Sequence, residues 1–142
     1  MAQRRTGSEY IRKIDFVFYN EKRIKEAVLD ARNAPRQAGR NGSGVGDPTA
    51  SEAIRNATPI RSVRIGQSEL ERPEDWIRVV RVTYEWCDRD RLIVARDRYS
   101  GVDYRETCAK LCISDTTRRA MLQDVRHHAS LCAAQLGLIN FL

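Results

Sequence analysis

The chain has 142 residues, 42% of them hydrophobic, and a formal net charge of +6. That is enough for one ordinary domain, or one compact unit with an arm, while no apolar run approaches the length needed to cross a bilayer. The opening MAQRRTGSEY has two arginines but no apolar stretch behind them, so a signal peptide is not expected and the cytoplasm is the expected compartment.

The sequence pI near 9.5 favours a polyanionic partner. Arginine greatly outnumbers lysine. Its planar fork pairs bidentately with phosphate and with guanine, so the bias is consistent with a nucleic-acid partner.

Residues 8–33 read as one long helix capped by Ser8, with Ile11, Ile14, Phe18, Ile24, Val28 and Ala31 at nearly helical spacing. Asn20 and the cluster Phe16–Tyr19 blur its middle, where a kink is expected. Arg12, Lys13, Lys22, Arg23 and Lys25 form a solvated face. Residues 34–47 are rich in glycine and read as a flexible loop. Its glycines do not match a phosphate-cradling pattern. Arg36 and Arg40 within it are weak candidates for backbone contacts.

Asp47-Pro48 reopens order as an N-cap and first helical residue, and the short helix stops before Pro59. The alternation Ile60–Ile65 predicts a strand, Gly66 a turn, and Ser68–Glu71 a partner strand. A support helix follows over 73–87, with proline first and acids in its first turn. Trp76, Val79, Val80, Thr83, Tyr84 and Cys87 form its apolar side. Trp76 and Trp86 fall on different faces, so one belongs to the core and the other covers a seam.

Residues 90–126 carry the functional reading. Leu92, Ile93 and Ala95 give an apolar surface before Tyr99, and Ser100-Gly101 breaks the pattern. Asp103 can cap a short helix bearing Thr107, Cys108 and Leu111 on one face. Cys112-Ile113-Ser114 is a link of the length that a helix-turn-helix uses, with Ile113 expected to be buried. Ser114 then caps a helix that opens Asp115-Thr116-Thr117-Arg118-Arg119. Such a helix presents its N-terminal side chains to base edges in the major groove, where arginine suits guanine and Ser or Thr suits bases or phosphates. Tyr104, Ser114, Thr116, Thr117, Arg118, Arg119, Gln123 and Arg126 are therefore the expected DNA-binding residues. Asp115 is awkward, since it repels phosphate unless it points away. Further on, Leu122, Val125, Ala129, Cys132, Leu136 and Ile139 form a heptad-like seam. It packs on the chain's own helices or, in the sharper alternative, makes a homodimer. His127 and His128 read as surface or phosphate-facing.

The run from Arg91 to Arg119 resembles region 4 of the bacterial sigma factors, through Arg98-Tyr99, Gly101, Tyr104, Leu111, Ile113-Ser114 and Thr117. It departs at Cys112, where that family usually has glycine because the link often needs positive φ. The whole chain resembles the RinA/ArpU-type phage late transcriptional regulators, through Phe18–Ile24, Asp47–Ala50, Pro73–Trp76 and Ala133–Ile139. The resemblance implies a prophage protein in a bacterial host cell that binds double-stranded promoter DNA and activates late or packaging genes; the N-terminal half would then support the module, dimerise or contact host RNA polymerase. The expected fold is mainly α: a helical bundle ending in a sigma region 4-like helix-turn-helix, with a short hairpin near 60–71.

Other readings are weaker. A phage small terminase subunit also pairs a small DNA-binding domain with helical oligomerising parts, and an adaptor could keep the module as scaffold. An enzyme finds little support, because Cys108 has no evident histidine partner and no carboxylate pair has recognisable spacing. Cys87, Cys108, Cys112 and Cys132 form no C-x-x-C pair and read as reduced thiols, with no metal or cofactor expected.

Overall fold

A computed structural model of the chain describes residues 6–33 and 58–140. The expected loop at 34–47 and the helix opening at Pro48 lie outside the described residues. Within them the fold is mainly helical, with six helices and one two-stranded antiparallel sheet. The chain forms two compact units, Met1–Glu21 with Asp75–Leu142, and Lys22–Glu74.

The long N-terminal helix is in fact two, α1 (Thr6–Tyr19) and α2 (Glu21–Asn33). The first begins ahead of the expected Ser8 cap. The break falls at Asn20, whose side-chain amide donates to Phe16 O at 2.8 Å while its backbone N–H bonds the same oxygen at 3.1 Å. Such local side-chain bonds compete with regular helix continuation. The two halves then serve separate cores: Ile14, Val17 and Phe18 are buried in the first unit, Ile24 and Val28 in the second.

In the second unit, β1 (Ser62–Ile65) pairs with β2 (Ser68–Glu71) in the register Val63↔Leu70, as the alternation predicts. Val63, Ile65 and Leu70 are buried. Gly66 turns the hairpin at φ +61°, a conformation glycine adopts without a Cβ penalty. Glu74 closes this unit by accepting from the Ile60 N–H at 3.0 Å and from Arg32 at 2.6 Å. Burial pushes its carboxyl up, but the Arg32 and Ile60 bonds outweigh that and hold it below the usual value.

The first unit holds α3 (Pro73–Trp86) from Asp75 onward, α4 (Arg89–Tyr99), α5 (Tyr104–Leu111) and α6 (Asp115–Gln135). Trp76, Val79, Val80 and Thr83 are buried along α3, and Tyr84 meets Phe18 edge-on at 5.5 Å. Trp76 is the core tryptophan, and Trp86 is the exposed one. α6 packs on α1 and α4, and α5 packs on α4 and α6.

The heptad-like seam is occupied by the chain itself: Leu122, Val125 and Ala129 are buried, and Cys132 is half-buried. The seam also stops early. α6 ends at Gln135, Gly137 takes φ +73°, and the Leu138 N–H bonds Ala133 O at 2.8 Å, a glycine-dependent helix stop. Among the described residues no helix is long and apolar enough to cross a membrane.

Candidate nucleic-acid interface

The short helix α5 is fixed on α4 by polar contacts that begin in the turn between them. Gly101 adopts φ +80°, and the Val102 N–H bonds Asp97 O at 3.0 Å. Asp103 caps α5 by accepting from the Arg105 N–H at 2.8 Å, as its position predicts. Thr107 is buried and donates to Asp97 Oδ2 at 2.8 Å, and Lys110 Nζ reaches the same oxygen at 3.0 Å. Asp97 thus sets where α5 sits, and with it the start of α6.

The link to α6 turns through Cys112, which is left-handed at φ 56°, ψ 44°. The positive φ expected of this position is adopted by a residue with a Cβ, at a cost of about 1–2 kcal/mol. Cys112 is exposed, so its side chain loses little if removed. Cys112→Gly is therefore expected to stabilise the protein by about 0.5–1 kcal/mol, after allowing for the greater freedom of glycine in the unfolded chain. Urea unfolding of the two proteins checks this; a fall in stability would contradict it. Ile113 is half-buried rather than enclosed, since a three-residue link with Cys112 and Ser114 exposed on either side leaves it partly open.

Ser114 caps α6, its Oγ accepting from the Thr117 N–H at 3.1 Å. The Ser114 hydroxyl lies 3.0 Å from Thr117 Oγ1. Asp115 accepts from Arg118 Nε at 2.8 Å and forms an ion pair with Arg119, whose Nε lies 2.9 Å away. The two are otherwise unlike. The Arg118 side chain is 12% exposed and its guanidinium lies 5.4 Å from the centre of the Tyr104 ring; that of Arg119 is 74% exposed. Helical geometry explains the split: at about 100° per residue, position 118 faces nearly opposite to 116, whereas 119, 120 and 123 return to the side of 116. Thr116, Arg119, Ala120 and Gln123 are all exposed and make one stripe along the first turns of α6. Tyr104 is exposed at the start of α5, with Arg105 also over its ring at 5.6 Å.

Arg126, expected at the DNA, is instead turned into the fold. Its Nε and Nη2 donate to the two carboxylate oxygens of Asp15, each at 3.0 Å, and the Tyr99 hydroxyl donates to Asp15 Oδ1 at 2.7 Å. One carboxylate from α1 therefore ties together α4 and α6. Burial and the neighbouring Asp15 both push the Tyr99 phenol well above its ordinary value. Burial opposes the charge on Arg126, but Asp15 and Tyr99 offset it and hold the guanidinium firmly protonated.

His128 is likewise not a free surface group. Its ring stacks on Trp86 at 4.2 Å, while His127 is exposed. The stack lines a cleft of about 390 Å³ with Leu131 and the Arg91–Asp88–Asp124 ion-pair chain. Burial, with the neighbouring His127, lowers the affinity of His128 for a proton. The cleft's charges are already paired with one another. Among the described residues no three His, Cys, Asp or Glu side chains converge on a point that could hold a metal.

The sequence reading missed Asp15 and Asp97. Asp15 carries a detectable sign, being an acid inside the Ile11–Ile14–Phe18 stripe, where a charge needs a buried partner. No family model matches this chain, and neither the curated proteins nor the solved structures include a significant match to it.

Proposed function

We propose that this protein is a sequence-specific DNA-binding transcriptional regulator, and that α6 enters the major groove by its N-terminal turns. The observation that carries the reading is the exposed stripe Thr116, Arg119, Ala120 and Gln123. It stands at the start of a long helix, behind a three-residue link and a short helix braced from behind. A recognition helix needs such a face: polar and cationic, free of packing duties, and held on a rigid element. Arg105, at the start of α5, and Ser114 are both exposed and suited to phosphate, which orients a protein on DNA without reading sequence. The net charge of +6 adds attraction through counterion release.

The resemblance to the RinA/ArpU-type regulators supplies the biological setting of the proposal: activation of phage late or packaging genes in the bacterial cytoplasm, with host RNA polymerase as the protein partner. Selection from a random duplex pool at physiological salt tests the DNA reading. The enriched duplex is expected to bind at least about 10³-fold more tightly than a scrambled one. Equal, weak and salt-sensitive binding to both would overturn it.

A further inference from the structure

The geometry of α6 says more than that DNA is bound; it points to which bases are read. This inference rests on the major-groove reading just proposed. Of the two adjacent arginines, only Arg119 is available to bases, because Arg118 is packed against Tyr104 and paired with Asp115. The Arg119–Asp115 pair is largely exposed on the arginine side, and pairs of that kind contribute little. Arg119 can exchange it for a base. When it does, Asp115 keeps Arg118 as its counter-ion, so no bare carboxylate is left facing phosphate. Arg118 is thus a positioning residue for the reading face.

We infer that the DNA site contains a guanine read by Arg119 and an adenine read by Gln123, about one to two base pairs apart, with a thymine methyl against Ala120. Arginine fits the guanine O6/N7 pair, glutamine fits adenine N6/N7, and a small apolar side chain fits the thymine methyl. The spacing comes from the helix. Arg119 and Gln123 are one turn apart, about 6 Å along the axis at ~1.5 Å per residue, and on a helix lying in the major groove residues about three to four apart meet successive bases. Ala120 lies between them on the same stripe, exposed and without bulk to hold the groove away.

Base preference of the full chain, profiled at each position of the enriched site, tests this for wild type, Arg119→Ala and Gln123→Ala. Both substitutions fall on exposed positions, and unchanged circular dichroism confirms that each variant is folded. Arg119→Ala is expected to lose about tenfold or more preference at the guanine only, and Gln123→Ala at the adenine only. An enriched site without that guanine–adenine pair, or preferences unmoved in the variants, overturns the inference while leaving DNA reading intact. Failure of the wild type to enrich any sequence overturns the DNA reading itself, and the inference with it.

Discussion

Arg126→Ala is expected to lower stability by about 2–4 kcal/mol and to leave DNA affinity unchanged in the protein that remains folded. Asp15 receives Arg126 through two bonds and Tyr99 through a third, and the Arg126 and Asp15 side chains are only 15% and 22% exposed. Removing one member of such a pair leaves the other charge largely desolvated and uncompensated, which costs more than the pair itself contributes. The remaining exposure places the effect below that of a fully enclosed pair. For a chain of this size the loss corresponds to a fall in Tm of about 10 °C. The double variant Asp15→Ala/Arg126→Ala is expected to cost less than the sum of the two single changes, because no orphan charge remains. Thermal unfolding of the three variants checks this. Wild-type stability in Arg126→Ala together with weakened DNA binding would restore Arg126 to the DNA interface.

Arg119→Glu is the second large effect. It removes the one arginine of the pair that projects from the reading face and places a negative charge there, beside Asp115. Loss of a bidentate base contact contributes about 1–3 kcal/mol. Repulsion by phosphate adds to that, so affinity for the enriched duplex is expected to fall by about 100-fold or more. Arg118→Met separates the roles of the two neighbours. It keeps the packing volume against Tyr104 but removes the counter-ion that lets Arg119 leave Asp115, so it is expected to weaken binding, by less than about tenfold. Fluorescence anisotropy on one labelled duplex measures both. Equal losses in the two variants would mean that Arg118 leaves Tyr104 and reads bases as well.

Much of the fold was legible because its causes are local. The hairpin at 62–71, the proline-initiated α3, the Asp103 and Ser114 caps and the link through Cys112 each follow from residues within a few positions of one another. The split at Asn20 was less so. The periodicity of Ile14, Phe18, Ile24 and Val28 is continuous, and only the bonds to Phe16 O and the assignment of the two halves to different cores separate them. In the candidate site the sequence marks the segment that carries the exposed face but not the directions in which two of its arginines turn. Arg118 and Arg119 are neighbours in sequence but about 100° apart around the helix, a distinction that matters only once Tyr104 is known to lie beside Arg118. Arg126 sits among the expected DNA-binding positions by number, but its partner is on the first helix, a separation that no local pattern reveals.

The central claim is that α6 reads the major groove. The most direct measurement is affinity for the enriched duplex with the key guanine changed in two ways: its N7 replaced by carbon, which alters only the major-groove edge, or the whole base replaced by hypoxanthine, which lacks only the minor-groove amino group. If α6 reads that groove, the first change weakens binding by about tenfold, because one of the two arginine–guanine bonds is lost, and the second leaves it unchanged. A loss confined to the hypoxanthine duplex, with the N7 substitution tolerated, would contradict it and move the contact to the minor groove.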